Sequence, residues 1–329
     1  MSLGLHRIAS CAWATLVLLG VCCAPALADD VLIPTAQTTS VATTISKSKR
    51  MMVAVNIANR GPYSFIIDTA AERSVIAREL ASDLALTVSS HASLVSMTAS
   101  REVAVVQIPD LSFLPGQKHT LPAFLLNAED IGASGVLGID ALRGQRIVLD
   151  FAGQTLSVEP GASRQAALER NEIVVNARRR LGQLVLAECT INGTPVDVVI
   201  DSGAQVSLGN EALRRLLTAK GKFQTITLQS VTGESFTADY TRASELLIGN
   251  AQFLGMPIAF ADIHFFRKMK LTRTPALLLG MDALQMFARV SVDFKKTEVR
   301  FLFPTTIAPP DRPEAGASTQ NLSRARFSQ

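Results

Sequence analysis

"FIIDTAAERSVI", Phe65 to Ile76, is a run of strand-forming residues that ends on a carboxylate and continues into small side chains. "VVIDSGAQVSLG", Val198 to Gly209, repeats the arrangement 133 positions later. One acid after an apolar run is an ordinary strand end, but two in one chain ask for a joint explanation. Superimposing Asp68 on Asp201 lays "MVAVNIANRGPYSFIIDTA" over "VLAECTINGTPVDVVIDSG" without a gap. Each copy reads as a strand, a turn around Asn59-Arg60-Gly61 or Asn192-Gly193-Thr194, a proline, and a second strand running into the acid. Asn-Gly between apolar runs is a strong hairpin signal, and the first copy carries a looser version of it.

The correspondence continues downstream. After each acid comes a short helical patch, "VIARELASDL" and "NEALRRLL", then alternating runs such as "VAVVQI" and "ITLQSV" that read as strands. Each copy next reaches an apolar pair and a glycine, "GVLGIDALRG" with Gly138 and "LLLGMDALQMF" with Gly280. Each finishes in a hairpin, "RIVLDFAGQTLSVEP" and "RVSVDFKKTEVRFLFP". Asp and Gly stand 70 residues apart in the first copy and 79 in the second, a difference that fits one insertion around "IHFFRKMKLTRT". The expected class is all-β: two homologous lobes, residues 45–160 and 172–303, joined by a linker over 161–171.

The ends of the chain read differently. A short basic opening, the apolar run "IASCAWATLVLLGVCC" and the small residues Ala26 to Ala28 form the pattern of a signal peptide over residues 1–28. The run is short for a membrane span, which needs about 20 residues, so export with cleavage is expected, with the periplasm as compartment and a retained anchor as the alternative. Three of the four cysteines lie in that segment, leaving Cys189 alone and no intramolecular disulfide to form. Residues 29 to 44 read as a loose leader, and residues 304–329, rich in Pro, Ser, Thr and Ala, as a disordered tail.

Composition narrows the function. A formal charge of +4 over 329 residues, without a basic stripe interleaved with aromatics, gives no case for nucleic acid. His91, His119 and His264 are scattered and offer no metal-ligand spacing. The duplicated acids suggest a chemistry that needs neither metal nor cofactor. An Asp at a strand tip, followed by Thr69 or Ser202 and then by Ala70 or Gly203, turns sharply and lets another backbone approach. Two such lobes related by a pseudo-two-fold would bring Asp68 and Asp201 together. Two carboxyls a few ångströms apart cannot both ionise at ordinary cost, so one keeps a proton. The pair then holds a base for a water and an acid for a carbonyl oxygen in one site.

With these residues in view the chain resembles the retropepsin-like aspartic proteases, in a tandem form that carries both lobes and acts as an intramolecular pseudo-dimer. In that family each lobe supplies Asp-Thr/Ser-Gly after an apolar strand, commonly followed by Ala; here these are "DTAA" from Asp68 and "DSGA" from Asp201. The family's apolar-apolar-Gly motif is matched by "VLG" ending at Gly138 and "LLG" ending at Gly280. The resemblance spans residues 45 to 303. It implies a monomeric endopeptidase acting on protein or peptide, with Asp68 and Asp201 catalytic and Thr69, Ala70, Ser202 and Gly203 supporting their loops.

Two departures bear on that implication. Ala70 stands where the family carries Gly, so its methyl narrows the floor of the site or is tolerated beneath a substrate that passes mainly over the second lobe. Of the hairpins that would cover the cleft, "SMTASREV" and "SVTGESF", only the second has a turn glycine, which makes Thr232 and Gly233 the candidate flap. Asp140 and Asp282 read as N-caps of short helices, and Asp150 and Asp293 as structural. Two other readings stand beside the enzyme. One is an inactive protease-like module that binds extended peptides in the cell envelope; the other is an exported structural protein whose acids only end strands.

Overall fold

The computed structural model describes residues 39–46, 48–96, 100–142, 145–160, 168–218, 223–230, 232–304 and 326–327. The proposed signal peptide lies outside them, as do residues 161–167 of the linker and nearly all of the tail. The exception in the tail is Arg326–Phe327, a two-residue strand beside Gln224–Gln229.

The alternation of burial along Met51–Ile57, inward at every second residue, is that of a strand with one face on the core. Its partner Arg60–Ile67 ends differently: Phe65, Ile66 and Ile67 are all buried. A strand buried on both faces needs a continuous apolar run, and that run carries the chain to Asp68 at its tip. The reason is its place in the sheet, since Arg60–Ile67 lies between antiparallel Met51–Ile57 and parallel Gly135–Leu137. The second lobe repeats this, with Asp197–Ile200 between antiparallel Gln183–Leu186 and parallel Ala276–Leu279. In both lobes a short strand follows the acidic loop, Val75–Ala77 or Leu208–Gly209, antiparallel to the strand that ends at the glycine motif. The two lobes therefore share one topology.

Each lobe adds a hairpin over the cleft side, Val88–Val95 with Ser100–Leu111 and Gln224–Gln229 with Ser235–Ile248. The terminal hairpins meet across the lobes. Gln145–Asp150 pairs antiparallel with Arg289–Asp293, Ser291 facing Val148 at the centre and Asp150 and Asp293 facing Arg289 and Arg146. Thr155–Pro160 and Glu298–Leu302 flank that pair, and Thr39–Ile45 and Glu172–Arg180 close the two edges. This sheet makes the two halves one body, beneath a core containing Phe253, Phe287 and Phe301.

Four local expectations change. The first hairpin turns at Ala58 and Asn59, both at positive φ, one residue earlier than the sequence suggests. Val75–Ala77 is strand, and the helix begins at Arg78. The loose leader gives way at Thr39 to an edge strand of the shared sheet, paired with Thr155–Pro160 of the first lobe. Asp140 and Asp282 lie within the short helices Ile139–Leu142 and Met281–Leu284 and do not cap them; the N-cap of the second is Gly280.

Candidate active site

Each acidic loop is closed by its own carboxylate. Asp68 Oδ1 accepts from the backbone N–H groups of Ala70 and Ala71, both at 2.8 Å. Asp201 Oδ1 accepts from Gly203 and Ala204 at 2.8 and 3.0 Å. These bonds fix both carboxyls at their strand tips and leave the remaining oxygens to face the cleft.

The hydroxyl residues join the loops. Thr69 N donates to Ser202 Oγ at 3.1 Å, and Ser202 N donates to Thr69 Oγ1 at 3.2 Å. Each hydroxyl in turn donates a hydrogen bond to a carbonyl beneath the opposite loop, Thr69 to Ile200 and Ser202 to Ile67, at 3.0 and 2.8 Å. Thr69 and Ser202 are 2% and 0% exposed, so water offers no replacement for any of these bonds. The result is a closed two-fold network spanning the lobes.

That network brings the acids side by side. A Cβ added to Gly203 would lie 2.2 Å from Asp68 Oδ2, so the Asp68 carboxylate rests on the opposite loop two residues from Asp201. Ala70 lines the same cleft; its carbonyl accepts from Gln183 Nε2 of the other lobe at 2.8 Å. Gly138 and Gly280 have a similar spatial role. A Cβ on either would lie within 2.8 Å of the backbone of the loop above, at Ala71 and Arg73 or at Val206.

Sequence reasoning missed the clamp that holds each loop on its glycine. Asp140 accepts from Ser74 N and Ser74 Oγ, and Ser74 Oγ accepts from Gly138 N at 3.1 Å. Asp282 accepts from Ser207 N and Oγ, and Ser207 Oγ accepts from Gly280 N at 3.0 Å. The signal was present in the repeat, because Ser74 and Ser207 follow their acids at the same distance. Asp150 and Asp293 close the turns of the terminal hairpins by accepting from Gly153 N and from Lys295 and Lys296 N.

Electrostatics separate the acids from ordinary carboxylates. Burial raises Asp68, opposed by the two loop N–H groups and the Arg50 guanidinium. Burial and then the charge of Asp68 push Asp201 well up, opposed by the N–H groups of its own loop and again by Arg50. Both shifts favour a pair that keeps a proton at pH values where an exposed Asp has lost it.

The acids open on a cavity of about 410 Å³. Val75, Phe124 and Val136 line it from the first lobe, Leu208, Leu228 and Phe265 from the second. Leu228, Gln229 and Ser230 of the second hairpin line it, and the tip beyond them docks on the first lobe. Thr232 is 6% exposed, its carbonyl accepts from Arg101 Nη2 at 3.2 Å, and Arg101 also faces Glu234 at 4.0 Å. Gly233, at φ +86°, rests against Asp130 of the first lobe. The first hairpin's tip, residues 97–99, lies outside the described residues. Among the described residues no group of three or more His, Cys, Asp or Glu is placed to hold a metal.

The sequence model of the family described as Aspartyl protease matches this chain twice, over residues 53–141 and 187–283. Each match covers one acidic loop and one glycine motif. No curated protein matches the chain.

Proposed function

The chain belongs to the aspartyl protease family, and from that premise we propose that it is an exported endopeptidase in which Asp68 and Asp201 share one proton and activate one water. The observation that carries the reading is the interlocked pair of equivalent acidic loops, joined through Thr69 and Ser202, above a single cleft. The ionised carboxyl takes a proton from the water as its oxygen attacks the scissile carbonyl carbon. The protonated carboxyl gives its proton to the carbonyl oxygen, forming a neutral tetrahedral diol. Collapse restores the carbonyl, breaks the C–N bond and sends a proton to the departing amine. The pair ends with the one proton it began with.

The supporting parts have distinct tasks. Gly203 admits Asp68 and, with Ala70, borders the path of the substrate backbone. Apolar walls on both sides suit bulky side chains flanking the bond to be cut. Thr232 and Gly233 form the cover. One chain supplies both acids, so specific activity should not fall on dilution. The mature protein incubated with a peptide library tests the assignment. Asp68→Asn and Asp201→Asn should each lower cleavage on the order of a thousandfold while remaining folded. Full activity in either variant rejects the dyad.

A second reading keeps the fold and removes the chemistry: an inert module that binds extended peptide. It is favoured by the Ala70 carbonyl being already occupied by Gln183 and by a hairpin tip already docked across the cleft. Tight peptide binding without cleavage from about pH 3 to 8 selects it, a range that spans the titration of a coupled carboxyl pair. Export is tested by fractionation. Protein beginning at Asp29 outside the cytoplasm is the expected result, and an uncleaved cytosolic chain rejects it.

A further inference from the structure

Arg50 and Gln183 occupy the same place in the two repeats, each 18 residues before its acid. Both line the cleft and both are buried, 6% and 2% exposed. Their chemistry differs. Gln183 is neutral and spans the lobes to the carbonyl of Ala70. Arg50 donates from Nη2 to the carbonyl of Ile131 at 2.8 Å and from Nε to Ser48 Oγ at 3.2 Å, both in its own lobe. Its backbone N–H is also tied, to Ser46 Oγ at 3.0 Å. A guanidinium bound this way is a fixed charge, and it never deprotonates in the working range.

The other charged groups around the cleft are more exposed or engaged elsewhere. Glu72 and Lys268 pair with each other at 2.7 Å. Arg73 lies over the Phe124 ring at 5.1 Å. Asp130 accepts from Asn127 and abuts Gly233. Arg50 is thus the buried cation of this cleft, and it stands on one side of an otherwise two-fold arrangement.

We propose that Arg50 is a positioning residue for the charge of the acid pair: its guanidinium stabilises the state with one proton lost against the burial that favours the fully protonated pair. The inference rests on the dyad assignment above. A pair holding both protons has no base for the attacking water, and burial and mutual repulsion both push towards that state. A fixed cation sharing the same low-dielectric cavity opposes them, in agreement with the lowering that Arg50 exerts on both Asp68 and Asp201. Gln183 supplies no such charge, so this pair of equivalent buried positions carries one cation where a symmetric site would carry two or none.

Two variants remove the charge by different routes. Arg50→Gln copies the second lobe. Ser48→Asp, at a half-buried position bonded to Arg50 Nε, neutralises the guanidinium without deleting it. The carboxyl carbons of Asp68 and Asp201 are titrated by NMR in ¹³C-Asp protein without substrate, and kcat/KM for a cleaved peptide is followed against pH. Arg50→Gln should raise the first ionisation of the pair and the acidic limb of the profile by about one pH unit, a roughly tenfold loss of rate below that limb. Ser48→Asp should move both in the same direction by less, and Arg50→Lys should restore the wild-type limb. Unchanged titration in a folded Arg50→Gln, or in Ser48→Asp where Arg50→Gln does not fold, overturns the proposal. An inactive wild-type protein whose carboxyls still shift rejects the peptidase reading and leaves the role of Arg50 standing.

Discussion

Gly203→Ala tests whether the two loops are as unequal as their sequences. The new Cβ would lie 2.2 Å from Asp68 Oδ2 and 2.4 Å from its Cγ. Ordinary contact between such atoms is about 3.5 Å, so one group must retreat by about 1 Å. The carboxylate cannot swing freely, because Oδ1 is held by Ala70 N and Ala71 N at 2.8 Å each. Gly203 itself is held by its bond to Asp201. Backbone conformation adds nothing to the cost, since Gly203 is not among the residues at positive φ. Overpacking of this kind typically costs about 1–3 kcal/mol in stability. A misplacement of about 1 Å in a catalytic group can cost on the order of a hundredfold in rate. The expected result is therefore a folded protein, melting a few degrees lower, with kcat/KM for a peptide substrate down about a hundredfold. Ala70→Gly is the control; it should keep activity within about threefold, because the first loop already works around a methyl. Wild-type activity in Gly203→Ala would refute the claim that Asp68 depends on the vacancy at Gly203.

Three further outcomes follow from the geometry. Ser202→Ala leaves Ile67 O without its donor and Thr69 N without its acceptor in a dry site, so denaturant unfolding should show a loss of about 2 kcal/mol or more; a loss below half of that contradicts the network. Asp282 is pushed up to about 6 from 3.8 by burial, so between about pH 4 and 6 the native state holds a proton that the unfolded chain has released, and stability falls as pH rises through that window. Asp282→Asn should remove up to about 3 kcal/mol of the stability gained on acidification from pH 7 to 4, measured by urea unfolding, and an unchanged slope refutes it. Arg101→Ala releases Thr232 O and the facing Glu234; an exposed pair is worth about 1 kcal/mol at most, so hydrogen exchange of residues 232–236 should quicken by about fivefold, and unchanged protection argues against a latch.

Much of the fold was legible because the chain states it twice. One apolar run ending in Asp is ambiguous, whereas a matching run, an equivalent glycine motif and an equivalent terminal hairpin constrain one another. Local reading failed where the cause is long-range. Val75–Ala77 looks helical from its neighbours, yet it is strand because His119–Leu126 and Gly135–Leu137 flank it. Thr39–Ile45 looks like a leader because its partner, Thr155–Pro160, lies more than a hundred residues away. Asp140 and Asp282 look like caps because a short-range rule fits an acid at a helix start. Their actual partners, Ser74 and Ser207, belong to the loops above. In each case the sequence held the residue, and the missing information was which distant backbone group would arrive beside it.

The asymmetries point the same way. A homodimer of single lobes must place identical residues on both sides of its dyad, so a glycine, a cation or a flap present once is present twice. Here the duplicated half has been free to change: Ala70 corresponds to Gly203 and Arg50 to Gln183, and the hairpin bearing Gly233 docks across onto Arg101 and Asp130 of the first lobe. The elements that hold the lobes together have kept their symmetry. Thr69 and Ser202 exchange equivalent bonds, and the shared sheet pairs about Ser291 and Val148; within each lobe the loop clamp is kept too, Ser74–Asp140 matching Ser207–Asp282. Conservation of the joint and divergence of the cleft separate two physical demands. Assembly needs complementary surfaces, which the two-fold supplies at no further cost, while a peptide threaded through the cleft has a direction and presents different groups to each lobe. Ala70 is best understood within that division. It stands in the half whose loop carbonyl is already engaged by Gln183, so the methyl marks where the repeat diverged and does not disturb the joint on which both acids depend.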